Sequence, residues 1–438
     1  MSFEKHLQQS LIWRGYYFIT MFLVNVVISR TLEASVTGWL YYLINIFSFV
    51  LMVASISMES ACSYYAASNT IHHQKLAWFS LLYICLVGII IASLFYYYFD
   101  NTKQAAANVT QVYLLYALTY IGGILLINFF TVLFYAQKNY FVPNVIMGTI
   151  NVLFILLVCF LKNNIHQFIP IVHLYFYMVL LQGVVVAFVF FKHNHLLQSF
   201  KLPNKLELKL MFKYAMVALA GNVLFYLVYR IDYWFVKNSS NVCTAIDLGN
   251  YIQASKLGQL LLVVPQIIAS VILPHTASKL YKDNIYHSIF ILFRLFLIAF
   301  TILFFLVLAV GNWLFPFIFG ASFNNITIPL LLLLPGIFGV SVLAQLSAFF
   351  SGNKKVYINV IGALLALVVV VFGDVIFIPK YGIYAAATIS TIGYLVNMLF
   401  ALWYFFKHQP SDYCKLFQFN KNDMAWLKKM LFSSSNQP

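Results

Sequence analysis

Twelve long apolar stretches separated by short polar gaps fill almost the whole of this 438-residue chain. Each is close to the roughly 20 residues that a helix needs to cross a hydrocarbon core of about 30 Å. In lipid the backbone must satisfy its own hydrogen bonds, so each stretch is expected to be helical. The pattern leaves no room for a soluble catalytic domain between spans. Only 8% of residues are charged, against about a quarter in soluble domains, which argues against a single large soluble core.

The expected spans are 11–29, 37–58, 77–99, 111–135, 142–161, 168–191, 214–236, 250–273, 289–310, 326–350, 356–378 and 383–406. The first is read as uncleaved, because no small-residue cleavage site closes it. The longest linker runs from Lys192 to Lys213 and contains Pro203. It divides the chain into six spans and six spans. The expected class is therefore all-α integral membrane, with twelve transmembrane helices in two six-helix lobes related by pseudo-twofold symmetry. The N-terminal lobe would be 1–205, the C-terminal lobe 206–410, and 411–438 a cytoplasmic tail. Within that tail Asn422 or Asp423 could cap a short amphipathic helix on the inner surface.

The net charge of +15 might suggest nucleic acid, but the cations sit in the gaps, where they act as topology signals. Assigning gaps alternately to two sides puts seventeen Lys/Arg residues on the side of the N-terminus, Lys75, Lys205 and Lys354 among them. Five fall opposite: Arg30, Lys103, Lys162, Lys237 and Lys380. Lys/Arg excess marks the cytoplasmic face, so both termini are expected there. Five scattered cysteines lack CxxC or CxxH spacing, so no zinc site or disulfide framework is indicated. No Walker A, G-x-S-x-G or H-E-x-x-H sequence is present, and no cofactor or enzymatic activity is expected.

Ionisable residues inside spans cost free energy and default to functional hypotheses. They are Arg14, Arg230, Asp232, Lys256, Arg294 and Asp374, with Glu59 at a span end. Arg14 and Arg294 lie near span ends, where long side chains can snorkel. Arg230 lies thirteen residues before Cys243 and Lys256 thirteen after it, so antiparallel neighbours would hold both at one depth. Asn222, Tyr226, Arg230 and Tyr233 share one helical stripe, and Gln253, Lys256 and Gln259 another. One reading is a wet cavity attractive to phosphate or carboxylate. The others are a structural salt bridge to Asp232, and snorkelling. Stripes in the first half (Arg14, Tyr17, Met21, Asn25; Asn128, Thr131, Tyr135; Asn144, Gly148, Asn151) read as interhelical packing more than ligand contact. Pro265 and Pro274 punctuate the eighth span and Pro335 the tenth, where kinks are expected.

The halves show weak internal similarity. Gly38 opens the second span and Gly249 the eighth, and each span reaches a small-polar end about 30 residues later, at Tyr64–Ser68 and Pro274–Ser278. Parallel repeats about an axis along the membrane normal would produce this.

Several segments resemble the polysaccharide-transporter branch of the exporter superfamily that also holds multidrug and toxin extrusion proteins. One is ISRTLEASVTGWLYYLINIFSFVLMVASISMESACSYYAAS (Ile28–Ser68). Another is YRIDYWFV (Tyr229–Val236), followed by Gly249–Tyr251 and by VVPQIIASVILPHTASKL. A third is LFPFIFGASF, followed by FFSGNKKVYIN and IPKYGIYAAATIS. Order and spacing carry the resemblance, which covers nearly the whole chain. Ala385 departs from a position where the family often has Gly.

The resemblance implies a flippase of lipid-linked oligosaccharide in a bacterial inner membrane, serving O-antigen, capsule or exopolysaccharide synthesis by alternating access. Membrane lipids, a polysaccharide polymerase and a chain-length regulator would be its partners. It matches Arg230 and Asp232 to the family's R-x-D pair and supports an anion cavity. The candidate lining is Arg230, Lys256, Arg14, Tyr226 and Gln253. Asp232, Asp374 and Glu59 are the candidates for ion coupling. The alternatives are a cation-coupled multidrug exporter, which an acidic cavity would favour, and a membrane glycan polymerase, which would need a long extracytoplasmic loop.

Overall fold

A computed structural model describes residues 3–68, 70–100, 107–162, 169–196, 200–277, 282–353, 355–408, 416 and 418. The proposed tail helix, Lys103 and Lys354 lie outside them. The described residues form only helices, turns and coil. Ten of the helices are long and apolar enough to cross a membrane, so this is a multi-pass membrane protein.

The helices, in order, are α1 (Phe3–Ala54), α2 (Met58–Ala67), α3 (His73–Asp100), α4 (Ala107–Ala136), α5 (Phe141–Lys162), α6 (Ile169–His193), α7 (Lys205–Asn238), α8 (Ala245–Leu261), α9 (Val263–Ala277), α10 (Lys282–Phe319), α11 (Thr327–Gly352) and α12 (Val356–His408). Two joints expected as gaps are tight kinks, at each of which two helices meet end to end. α1 breaks at Glu33 (φ 59°, ψ 175°), and α12 breaks at Gly382 (φ 59°, ψ −139°). At Gly382 the left-handed φ suits a residue without a Cβ. At Glu33 a side chain bears the same φ, which is uncommon outside glycine.

The eighth span is split between α8 and α9 at Leu262. Pro265 follows within one turn and has no N–H for the carbonyl of Leu261. The carbonyl of Pro265 itself accepts from Gln345 Nε2 at 2.8 Å. Pro335, by contrast, lies within a continuous α11.

Much of the expected linker 192–213 is helix. α7 starts at Lys205, where Asn204 and Glu207 cap each other: Glu207 N donates to Asn204 Oδ1 at 2.8 Å and Asn204 N to Glu207 Oε2 at 2.6 Å. Such reciprocal caps satisfy orphan donors of the first turn.

The chain forms two compact units. The first comprises Met1–Leu32 and Leu43–Val223. Its α4 packs against α2, α3 and α6, and α5 packs on α6. Phe130, Phe134 and Phe190 fill the α4–α6 seam, with ring centroids at 5.0–5.6 Å. The Asn-rich stripes are spent on packing here. Asn151 Nδ2 donates to Thr20 Oγ1 at 3.1 Å, Gln182 Nε2 to Asn151 Oδ1 at 2.7 Å, and Asn144 Nδ2 to the Tyr135 hydroxyl at 2.9 Å.

The second unit comprises Glu33–Tyr42 and Leu224–Pro438. Its axis is α11, which packs against α8, α9, α10 and α12. A phenylalanine-rich core includes Phe290, Phe293, Phe349, Phe405 and Phe406. Residues 33–42, from the middle of α1, belong to this unit. Ala34 N donates to Ser322 Oγ at 3.0 Å. Gly38 meets Gly249 backbone to backbone, so a Cβ on Gly38 would stand 2.6 Å from Gly249 N and 2.7 Å from its Cα.

Candidate functional site

The second unit gathers most of the intramembrane charge. Tyr229, Arg230, Asp232 and Tyr233 come from α7, Tyr251, Lys256 and Gln259 from α8, Asp374, Ser390 and Tyr394 from α12, and Tyr41 from the α1 segment. The Arg230 guanidinium donates to the Tyr233 hydroxyl at 2.6 Å and to Gln259 Oε1 at 2.5 Å. Its Cζ also lies 5.2 Å from the Tyr233 ring centroid. The Lys256 ammonium sits over the Tyr41 ring, 2.9 Å from the centroid, where the ring quadrupole attracts a cation. Arg230 and Lys256 lie within electrostatic reach of each other, as the equal spacing about Cys243 requires.

The salt-bridge alternative is not what forms. Among the described residues, the one salt bridge joins Lys75 to Glu207. Asp232 is instead held by hydrogen-bond donors: the Tyr251 hydroxyl, Ser390 Oγ at 3.1 Å and the backbone N of Tyr233 at 2.9 Å.

Asp374 is fully buried, and within the described residues neither of its oxygens has a hydrogen-bond partner. It lies within electrostatic reach of Asp232. A bare buried carboxylate costs several kcal/mol or more unless it is protonated or meets a cation. This pair is therefore chemically equipped to take up a proton or a small cation.

The other candidates are placed less tightly. Gln253 is buried with neither side-chain polar atom satisfied within the described residues, while Gln259 on the same stripe engages Arg230. Tyr226 is half-buried and within electrostatic reach of Arg230. Arg14 lies in the first unit, its guanidinium 4.5 Å over the Tyr135 ring. Arg294 is buried in α10 rather than drawn out to a surface.

Glu59 is also in the first unit, beside a break where Ile56 and Ser57 take left-handed φ values of 51° and 52°. Tyr83 donates to the Ser55 carbonyl there at 2.9 Å, and Asn222 Nδ2 to Ser57 Oγ at 3.1 Å.

Sequence reasoning missed Tyr41, Tyr251 and Ser390. Tyr251 and Ser390 fall inside the segments that carry the family resemblance. Tyr41 lies in the first such segment too, but nothing local marks its ring, since its partner Lys256 is more than 200 residues away.

No protein-family model and no curated protein matches this chain. Solved structures do. The lipid II flippase MurJ in an inward closed conformation superposes with a TM-score of 0.68 at 14% identity, covering 98% of this chain and 93% of that one. An outward-facing multidrug resistance MATE family transporter of the MOP superfamily gives 0.61 at 13% identity, covering 92% and 95%. A MOP superfamily transporter from Pyrococcus furiosus, described as having a binding pocket of reversed polarity, gives 0.58 at 16% identity, covering 92% and 95%. The chain has the fold of these transporters.

Proposed function

We propose that this protein is a flippase that moves a lipid-linked oligosaccharide, a polyprenyl-pyrophosphate repeat unit, from the cytoplasmic to the outer leaflet of a bacterial inner membrane. The observation that carries the reading is the adjacency of Arg230 and Lys256, which hold hydrogen-bond acceptors and aromatic faces and, among the described residues, form no salt bridge. Two close cations in a low-dielectric setting attract a pyrophosphate far more strongly than they would in water. By the same physics they repel a cationic drug. The product would feed O-antigen, capsule or exopolysaccharide synthesis, with a polymerase and a chain-length regulator acting downstream.

We take the pieces of α1 and α12 on either side of Glu33 and Gly382 as separate crossings, and α8 with α9 as one broken span, for twelve in all; the two kinks and the apolar lengths support this. We read them as two lobes of six, divided at residue 205, with both termini cytoplasmic. Alternating access then moves the headgroup while the lipid tail stays in the bilayer. Asp374 with Asp232 is the coupling pair, taking a proton or cation in one state.

Cation-coupled drug export is the competing reading. The buried carboxylates Asp232 and Asp374 and the likeness to multidrug transporters favour it. One experiment separates the two. Purified protein in liposomes should expose a labelled lipid-linked sugar on the opposite leaflet with its mass unchanged, and Asp374→Asn should remove any dependence on an ion gradient. A lengthened glycan would indicate a polymerase. Export of cationic dyes with no movement of the sugar lipid would establish the drug exporter and refute the flippase.

A further inference from the structure

α7 is 34 residues long, about 51 Å at 1.5 Å per residue, whereas a hydrocarbon core spans about 30 Å. Its surplus length lies at the N-terminal end. There Tyr214 stacks on Tyr64 with centroids 4.8 Å apart, and Tyr65 meets both rings edge-on. Tyr64 and Tyr214 are exposed. Polar-tipped rings grouped at one level mark the headgroup region, so Lys205–Lys213 extends outside the core.

The faces of this extension are sorted by chemistry. At about 100° per residue, Lys205, Lys209 and Lys213 fall on one arc, with Met216 inside it and Phe212 at its edge. Leu206, Leu210 and Val217 form the adjoining stripe. All eight side chains are exposed, while Met211 and Ala215 on the opposite side are buried. Lys201 is exposed just upstream.

The stretch between Lys192 and Ile231 holds a single carboxylate, Glu207. It is engaged by Lys75 Nζ at 2.9 and 3.0 Å and by Asn204 N at 2.6 Å. Its charge is therefore answered by Lys75 and the cap, and among the described residues no anion pairs with the lysine arc. The helix N-terminus is itself closed by the cap, so the attraction comes from the lysines.

We propose that this face of α7 binds the phosphodiester headgroups of anionic phospholipids, with the lower end of the adjoining stripe, Leu210 and Val217, at the acyl boundary. A soluble acidic partner would answer the lysines but leave that apolar stripe uncovered. The inference rests on the membrane reading and is independent of which cargo the protein carries.

The test uses full-length protein in neutral detergent, with lipid retention followed by native mass spectrometry during titration with phosphatidylglycerol, phosphatidylcholine or glycerol 3-phosphate. Phosphatidylglycerol should be retained preferentially and released by salt. Each lysine near an anionic surface is worth about fivefold in affinity. Lys205→Gln/Lys209→Gln/Lys213→Gln together should then weaken retention about a hundredfold, while Lys237→Gln/Lys380→Gln leaves it unchanged.

Gel filtration and circular dichroism establish that the triple variant is folded. If it is not, Lys209→Gln/Lys213→Gln, with about a 25-fold expected loss, takes its place. Equal retention of phosphatidylcholine, equal binding of glycerol 3-phosphate, or undiminished phosphatidylglycerol retention in the variant would each overturn the proposal. So would specific binding of a soluble acidic protein through these lysines with no lipid preference.

Discussion

Replacing Gly38 by alanine tests whether residues 33–42 truly belong to the second unit. The added Cβ would stand 2.6 Å from Gly249 N, 2.7 Å from its Cα and 3.3 Å from the Ala245 carbonyl oxygen. All three are backbone atoms, so no rotamer change can make room, and the segment must move by about 1 Å to restore ordinary contact. Forced overpacking of this kind costs about 1–3 kcal/mol. For a unit of this size the melting midpoint should fall by about 2 to 12 °C. Gly88→Ala is the internal control, because nothing lies within 4 Å of its added Cβ. It should leave the midpoint unchanged or raise it slightly through helix propensity. Gly249→Ala should behave like Gly38→Ala, since its Cβ lands on the Ala34 carbonyl. The double variant should cost less than the sum, because one displacement relieves both clashes. The assay is thermal unfolding in detergent with intrinsic fluorescence. Equal midpoints for Gly38→Ala and Gly88→Ala would refute the docking argument.

Arg230→Glu and Lys256→Glu should each abolish sugar-lipid transport while the protein still inserts; recovery on exchanging the charges of Lys256 and Asp232 would sink the cavity role. Single cysteines placed near Lys237 and Lys380 should react with an impermeant maleimide in whole cells, and one near Lys205 should not; labelling at Lys205 would break the topology. Cys243, in the turn between α7 and α8, has its thiol pushed up to about 11 by burial, with the Asp247 carboxylate adding to the effect. Its alkylation should therefore be slow at pH 7 and rise about tenfold per pH unit, since only the thiolate reacts. Asp247→Asn should speed it, and a flat pH profile would contradict the assignment.

Hydropathy made the spans legible, because a run of apolar residues near 20 long has few other fates. It said little about where helices end. Lys205, Lys209 and Lys213 make a polar stretch that hydropathy does not distinguish from irregular chain, although Asn204-x-x-Glu207 spells a cap. The gaps at 30–36 and 379–382 read as loops for the same reason, yet only Glu33 and Gly382 leave helical geometry. In the candidate site, the Arg230–Lys256 adjacency followed from equal spacing about a turn. The choice between an ion pair and donor-held Asp232 did not, because Ser390 lies 158 residues away in the chain. Helical spacing alone could not tell Gln253 from Gln259 on one stripe, since which of them meets Arg230 depends on the roll of α8 against α7.

The membership of residues 33–42 in the second unit has a consequence for synthesis. That segment leaves the ribosome early, but its partners Ala245, Gly249 and Ser322 come 200 to 290 residues later. At about 5–20 residues per second, the delay is roughly ten seconds to one minute. Through that interval α1 sits in the bilayer with its Gly38 face unmatched. The kinked helix is thus a long-lived insertion intermediate, and completion of the second unit is gated by the last third of translation. Pausing the ribosome before Ser322 should hold the chain with Gly38 still open to crosslinking by lipid or by an insertase.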